Sequence, residues 1–258
     1  MRGGIAEIWM ATDKAGKAIA LRLMNDSVRD SDSAPAMFVN GCKILAKLPP
    51  HRNLITYLGH GEWEETPYLL MEYVEGANLK ELMLRDDSHL SELLSDILVN
   101  FAAALEHMHD HGYMHLDLKP ENLILSHGGG LRLCDFDTAQ PIPSKPTRLS
   151  RRSGTPNYMA PEQMVGEGVD QRADIYAFAV SAYELLTQHK PFRGDTPKEM
   201  MENQLESRYR VPPPRDYNPD IPVALERLLL KCLNFSPEMR YPNMTVVVRD
   251  LHIALGVQ

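Results

Sequence analysis

In the first part of the chain, apolar positions fall mainly in short alternating runs. Such runs, bounded by turn residues, are typical of strands, whereas recurrence every three to four positions is typical of helices. On this basis we expect strands at 5–12, 18–24, 55–61 and 68–73, with one helix at 34–48. The pattern predicts a small, mostly β unit.

Beyond Gly76 the apolar spacing becomes mainly helical. A glycine-rich hairpin turn at 126–130 and an irregular stretch at 138–161 interrupt it. The expected helices lie at 79–84, 90–109, 171–188, 197–207, 222–233 and 243–255. A β-rich unit at 1–74 followed by a larger helical unit at 75–258 predicts an α+β chain of two lobes.

One short segment between the helices concentrates polar chemistry. Asp117, Lys119 and Asn122 follow one another closely, and Asp135 comes after the next hairpin. Phosphoryl transfer uses a base that orients the incoming hydroxyl, a cation that neutralises the transferring phosphate, and oxygen ligands for Mg²⁺. These four side chains are candidates for those tasks.

The order and spacing of these residues resemble the H-R-D-x-K-x-x-N loop and the D-F-G motif of protein kinases. The segment 154–162, Gly-Thr-Pro-Asn-Tyr-Met-Ala-Pro-Glu, resembles the end of their activation segment. The resemblance covers nearly the whole chain, points to bacterial, eukaryotic-like Ser/Thr kinase domains, and implies a bilobal protein-kinase fold. It implies Asp117 as the base, Lys119 at the γ-phosphate, Thr155 as their brace, and Asn122 and Asp135 as the Mg²⁺ ligands.

The same resemblance implies an ATP site between the lobes. Gly3 and Gly4 overlay the second half of a glycine-rich loop whose first part is missing, and their backbone N–H groups would approach phosphates. Other residues of this site are implied to sandwich the adenine, to occupy the gatekeeper position or to supply hinge backbone hydrogen bonds. These residues are Ile8, Ala20, Met71, Glu72, Val74 and Leu123.

Three positions that anchor the phosphates in protein kinases are altered. Arg22 replaces the lysine of V-A-I-K, Gly41 stands where its partner glutamate is expected, and Asp137 replaces the glycine of D-F-G. Because a buried charge without a partner is costly, we expect Arg22 to pair with Asp135 or Asp137 when nucleotide is absent. On the same reasoning, Arg22→Lys combined with Gly41→Glu is expected to restore the anchor.

Further positions match the scaffold of the family or depart from its regulation. Glu162 and Arg240 are expected to form a buried ion pair, and Asp174 to hold the backbone of the catalytic loop. Leu116 replaces the arginine that normally pairs with an activation-loop phosphate. A basic run beside two serines either receives a phosphate or is a solvated loop; its members are Lys145, Arg148, Arg151 and Arg152, with Ser150 and Ser153.

Composition limits the compartments in which the chain is expected and the class of partner that it is expected to bind. A net charge of −8 over 258 residues argues against a nucleic-acid-binding surface, so a protein substrate or a regulated partner protein is expected. Three widely separated cysteines fit a reducing compartment. No apolar run approaches the length of a membrane span, and we expect a cytoplasmic chain or the soluble part of a longer one. Four histidines at 107, 109, 111 and 115 match a helix end better than a metal site.

Two functions remain open on the sequence alone. The retained catalytic-loop residues favour a Ser/Thr kinase that binds Mg-ATP and transfers its γ-phosphate weakly or conditionally. The altered phosphate anchor favours a pseudokinase that acts as a nucleotide-gated or scaffolding interaction module.

Overall fold

The small lobe begins with a β-hairpin and contains a four-stranded antiparallel sheet. A computed structural model describes residues 5–29, 31–85, 87–151, 154–194, 196–206 and 210–257. The sheet has the order β1-β2-β4-β3. In chain order the elements are β1 (Ala6–Thr12), β2 (Ala18–Met24), α1 (Asp26–Arg29), α2 (Ala34–Lys47), β3 (Tyr57–Trp63) and β4 (Thr66–Glu72).

Helix α2 packs one apolar face towards the cleft between the lobes. It has a proline in its first turn, where a backbone N–H would have no partner within the helix. Phe38, Cys42 and Leu45 repeat at helical spacing on its buried side. Gly41 lies on the same side, so this helix brings a bare stretch of backbone to the cleft.

The large lobe is mainly helical, with short strands near the cleft. Its strands are β5 (Gly76–Asn78), β6 (Tyr113–Met114), β7 (Leu123–Ser126), β8 (Leu131–Leu133), β9 (Gln140–Pro141), β10 (Thr147–Arg148) and β11 (Gly168–Val169). Its helices are α3 (Leu79–Leu84), α4 (Ser88–Glu92), α5 (Leu94–Asp110), α6 (Pro161–Val165), α7 (Arg172–Thr187), α8 (Pro197–Leu205), α9 (Val223–Cys232) and α10 (Met244–Leu255).

Helix α7 forms the centre of the large lobe. Almost all of its side chains are buried, as expected for a helix that is apolar on every face. The rings of Phe178 in α7 and Phe101 in α5 lie with their centroids 4.9 Å apart. This rigid central helix carries Asp174 in its first turn, directly beneath the catalytic loop.

The expected α+β bilobal architecture is confirmed, with local differences. The helix expected at 90–109 is divided into α4 and α5, the short helix α1 follows β2, and the stretch expected to be irregular at 138–161 contains β9 and β10. Within the described ranges, no helix is long and apolar enough to cross a membrane.

Candidate active site

Asp117, Lys119 and Thr155 form one connected cluster of hydrogen bonds. The Oδ1 atom of Asp117 accepts from the backbone N–H of Thr155 at 2.7 Å and from its hydroxyl at 2.8 Å. Lys119 Nζ donates to Asp117 Oδ2 at 2.8 Å and to Thr155 Oγ1 at 2.7 Å. The structure therefore brings together the three residues that the sequence predicted as catalytic.

The cluster keeps the Asp117 carboxylate ionised. Burial alone would raise its pKa, but the Lys119 ammonium and the hydrogen bonds from Lys119 and Thr155 outweigh this effect. The net result is a pKa of Asp117 below its ordinary value. An ionised carboxylate at this position is able to accept a hydrogen bond from an incoming hydroxyl.

Asp174 holds the loop that carries Asp117. Its two carboxylate oxygens accept from the backbone N–H groups of His115 at 2.7 Å and Leu116 at 2.8 Å. His109 Nε2 lies 2.9 Å from the same carboxylate. Leu116 has a φ of 67°, a left-handed conformation that costs free energy for a branched side chain. The buried carboxylate therefore holds the loop backbone, as expected for Asp174, and the structure adds that this backbone is strained.

Asn122 and Asp135 offer the oxygen ligands expected for a metal. Asn122 Nδ2 donates to the backbone oxygen of Asp117 at 2.8 Å, which leaves its amide oxygen as the ligand atom. Both residues line the cavity between the lobes. Amide and carboxylate oxygens are the donors that Mg²⁺ prefers, so the chemistry of this pair fits the expected metal.

Arg22 reaches across the cleft to two aspartates. Its Nη1 and Nη2 atoms donate to the two carboxylate oxygens of Asp137 at 2.7 and 2.8 Å. Nη2 also lies 3.2 Å from Asp135 Oδ1. The expected pairing of Arg22 is confirmed, and it involves both aspartates rather than one. Arg22, one of the implied cofactor-binding residues, lines the cavity between the lobes.

The guanidinium of Arg22 stays charged although it is buried. Burial alone would lower the pKa of Arg22, but the carboxylates of Asp135 and Asp137 raise it above its ordinary value. Phe38 of α2 lies under the guanidinium, 4.9 Å from ring centroid to Cζ. This cation–π contact adds to the stabilisation. Phe38 was not among the residues predicted for the site, because its helical spacing indicates only a core position.

A cavity of about 440 Å³ lies between the lobes. That volume suits a nucleotide-sized ligand, since small-molecule sites range over roughly 300–1,000 Å³. Of the residues implied to surround the base, the cavity is lined by Ile8, Ala20, Met71, Glu72 and Val74. Gly3 and Gly4 lie outside the described residues.

Leu123 does not line the cavity, contrary to the implied adenine site. Leu123 is completely buried and pairs with Leu133 of β8, whereas the next residue, Ile124, lines the cavity. Successive side chains of a strand point to opposite faces, so one step along β7 moves a residue from the cleft to the core. Ile124 is therefore the side chain that forms the floor of the cavity.

The hinge residue Glu72 has a structural task besides its backbone groups. Its Oε1 accepts from the backbone N–H and hydroxyl of Thr56 and from Arg132 Nε, each at 2.9 Å. Burial alone would raise the pKa of Glu72, but the contacts with Thr56 and Arg132 lower it. The side chain of Glu72 therefore fastens β4 to β8 at the junction of the lobes.

The predicted scaffold ion pair is present. Arg240 donates from Nη1 and Nη2 to the two carboxylate oxygens of Glu162 at 2.7 and 2.8 Å. Both side chains are buried, at 0% and 5% exposure, so the two charges depend on each other. This pair fixes the end of the activation segment to the large lobe and takes no part in the cleft.

The four histidines, Leu116 and the basic run, which the sequence also singled out, differ in their surroundings. His107, His109, His111 and His115 contact different oxygens, those of Pro49, Asp174, His107 and Cys134. Leu116, which replaces the usual arginine, is buried. Of the basic run, Lys145, Arg148 and Arg151 are exposed, while Arg152 and Ser153 lie outside the described residues.

The sequence did not indicate a network of side chains around the buried Glu184. Glu184 in α7 accepts from Lys80 Nζ at 2.7 Å and from the hydroxyl of Tyr158 at 2.6 Å. Its members are far apart in the chain, and no spacing rule connects them. The network joins α3, the activation segment and α7.

The two lobes, the inter-lobe cavity and the Asp117 cluster together define a protein-kinase fold. The model of the family described as protein kinase domain matches residues 2–251, and the chain belongs to that family. It is 30% identical over its whole length to a probable serine/threonine-protein kinase of Streptomyces coelicolor. It is also 30% identical, over 96% of its length, to the serine/threonine-protein kinase PknB of Mycobacterium leprae.

A third similar protein is a probable serine/threonine-protein kinase of Lactococcus lactis. It is 28% identical over 97% of this chain. The chain covers 39%, 41% and 40% of the Streptomyces, Mycobacterium and Lactococcus proteins. The chain thus spans about two fifths of the length of these relatives.

Proposed function

We propose that the chain is a Ser/Thr protein kinase domain that binds Mg-ATP and transfers the γ-phosphate to a protein hydroxyl, weakly or conditionally. The observation that carries the proposal is the cluster of Asp117, Lys119 and Thr155. Thr155 contacts both charged groups at hydrogen-bond distance, which holds base and cation in one geometry. A lysine at this position of the loop is typical of Ser/Thr rather than Tyr kinases, as the resemblance implies.

Each polar residue of the cluster has a distinct task in this proposal. Asp117 accepts the hydrogen bond of the substrate hydroxyl and takes its proton as transfer proceeds. Oδ1 already has two strong donors, so Oδ2, with Lys119 at 2.8 Å and Asn122 Nδ2 at 3.4 Å, is the oxygen with capacity left. Lys119 supplies positive charge where the γ-phosphate would lie.

The metal and nucleotide would be held by the other residues of the cleft. Asn122 and Asp135 would ligate Mg²⁺, which neutralises the phosphate oxygens when bound. Ala20, Met71 and Ile124 would enclose the base, with hinge backbone groups at its edge. Arg22 would supply the cation that a lysine supplies in other kinases, but its contact with Asp135 restrains one of the metal ligands.

That contact favours a second candidate function. If Arg22 keeps Asp135 from the metal under all conditions, the domain binds partner proteins, with or without nucleotide, and transfers no phosphate. In either function the partner is a protein. The proposed location is the cytoplasm, which the reducing environment expected from the cysteines supports.

Nucleotide binding and phosphate incorporation, measured on the same preparation, separate the two candidates. We expect millimolar Mg-ATP to raise the melting temperature and the radiolabel of ATP to enter Ser or Thr. Binding of ligand to the folded state alone adds about 2.7 kcal/mol of stability at a hundredfold excess over Kd. A thermal shift without incorporation favours the pseudokinase. No shift at all contradicts both nucleotide-dependent functions.

A further inference from the structure

Helix α2 offers no carboxylate to Arg22 and has no room for one at Gly41. A Cβ atom added to Gly41 would lie 2.7 Å from both the carbonyl carbon and the oxygen of Phe136, and 2.9 Å from the backbone nitrogen of Asp137. Real Cβ atoms do not approach backbone atoms so closely. The helix backbone therefore packs directly on residues 135–137, which we call the aspartate loop. Asn40 Nδ2 fastens the same helix to the segment beyond, at 3.0 Å from Ala139 O.

Asp137 fills the role that the helix leaves vacant. Its carboxylate and the guanidinium of Arg22 form a two-pronged pair with 5% and 11% side-chain exposure. The parallel N–H donors of arginine match a carboxylate in this geometry, which a lysine would not do. Asp135 receives only one, longer contact from the same guanidinium, at 3.2 Å, and its side chain is 36% exposed.

We propose that Asp137 is a positioning residue that holds Arg22 in place of a helix glutamate and so keeps Asp135 available to Mg²⁺. The inference rests on the proposed binding of Mg-nucleotide. With Asp137 present, Arg22 satisfies both Nη atoms on one carboxylate and gives up only the longer contact when the metal binds Asp135. Without Asp137, the buried guanidinium has Asp135 as its remaining carboxylate and competes with the metal for it.

The Mg²⁺ dependence of ATP binding, measured by calorimetry in two backgrounds, tests this role. In the parent chain, Asp137→Asn is expected to raise the Mg²⁺ concentration for half-maximal binding by about tenfold, the size of coupling usual for groups in contact. In an Arg22→Gln chain the same change is expected to leave that concentration unaltered, because the competing cation is gone. Arg85→Gln, at an exposed arginine of the other lobe, serves as the matched control.

The two alternatives give different results. If Asp137 is itself a metal ligand, Asp137→Asn raises the Mg²⁺ requirement equally in both backgrounds, and the proposal is overturned. If Asp137 only supports the fold, the requirement changes in neither background, and the proposal is again overturned. Should Asp137→Asn not fold, Asp137→Glu takes its place. Its longer side chain displaces Arg22 and is expected to matter only where Arg22 is present; an equal effect in both backgrounds contradicts the proposal.

Urea unfolding of the same variants without nucleotide distinguishes failure of this inference from failure of the proposed function. Arg22→Gln leaves the buried Asp137 carboxylate without the guanidinium, and Asp137→Asn leaves the buried guanidinium with only its longer contact to Asp135. The double variant is therefore expected to be more stable than the sum of the single losses predicts. Additive losses would overturn the pairing whatever the chain does with ATP. Coupled losses together with no ATP binding in any variant would overturn the proposed function and, with it, the role of Asp137 towards Mg²⁺.

Discussion

Arg22 and Asp137 face each other across the cleft, joined by two hydrogen bonds of 2.7 and 2.8 Å. One residue lies in the inner strand β2 of the small lobe, and the other lies between β8 and β9 of the large lobe. The pair therefore connects the lobes through buried charges, at the point where kinases anchor phosphates. Its energetic consequence is mutual dependence, since loss of either partner leaves the other charge buried.

Arg22→Lys alone is expected to weaken the protein without improving nucleotide binding. An ammonium makes a point contact and cannot reproduce the two-pronged pair, so we expect a stability loss of about 1–3 kcal/mol. Urea unfolding measures that loss, and calorimetry with Mg-ATP measures affinity. The exposed Arg85→Lys is the control. A tenfold gain in affinity on Arg22→Lys would contradict this interpretation of the cleft.

Any side chain at position 41 is expected to lower the stability of the protein. Gly41→Ala places a Cβ 2.7 Å from the backbone of Phe136, so helix α2 or the aspartate loop must move, and overpacking of this kind costs about 1–3 kcal/mol. The matched control is Gly59→Ala in β3, whose Cβ would lie at an ordinary 3.9 Å from Leu70 Cδ1. Equal melting temperatures for the two variants would show that the helix does not pack as described.

This geometry corrects the expected rescue by Gly41→Glu. A glutamate at position 41 would have to displace the loop before its carboxylate reached Arg22. Gly41 does lie on the side of α2 that lines the cavity. The sequence contains no information on how closely that helix approaches the loop, because the distance depends on packing between segments far apart in the chain.

Asp174→Asn is expected to lose less stability on acidification than the parent chain does. Burial alone would raise the pKa of Asp174, but hydrogen bonds from His109 and from the backbone of His115 lower it below its ordinary value. A lowered pKa in the folded state contributes stability that is present above the unfolded pKa of about 4 and lost as pH falls through the folded value. The difference in melting temperature between the parent and Asp174→Asn should thus be large near neutral pH and shrink below about pH 4. A difference that is constant with pH would contradict the assigned charge.

Thr155→Ala is expected to reduce phosphate transfer while Thr155→Ser retains most of it. The hydroxyl lies 2.8 Å from Asp117 Oδ1 and 2.7 Å from Lys119 Nζ, and serine preserves this oxygen. Hydrogen bonds to charged groups contribute about 1.5–3 kcal/mol, which corresponds to a rate loss of roughly tenfold to a hundredfold. Steady-state assays of kcat on the three proteins provide the test. Equal losses for both variants would assign the effect to the methyl group instead.

The sequence allowed prediction of the fold and of most polar contacts for identifiable reasons. Asp117, Lys119 and Asn122 are close in the chain, and their order and spacing match the kinase loop whose resemblance implied that they act together. The pairing of Arg22 followed from charge balance, because an arginine without its glutamate faced two aspartates. Leu123 shows the limit: its assignment depended on the phase of a strand, and an error of one residue exchanges cleft and core.

Contacts between distant segments were less accessible to prediction. The Glu184 network with Lys80 and Tyr158 involves three elements whose sequences carry no common motif. The helical spacing of Phe38 indicated an ordinary core residue. That spacing is the same whether the ring faces an aliphatic side chain or a guanidinium. Such assignments require the distances between elements, which side-chain periodicity does not contain.

Transfer of labelled phosphate from Mg-ATP by the parent chain and by Asp117→Asn tests the proposed kinase activity most directly. Asp117→Asn preserves the shape of the side chain and removes the base, and Asp110→Asn at the exposed end of α5 is the control. We expect label on Ser or Thr from the parent and the control, and a rate lower by about a hundredfold or more from Asp117→Asn. Equal labelling by Asp117→Asn and the parent, or label on Tyr, would contradict the assignment of Asp117 as the catalytic base of a Ser/Thr kinase.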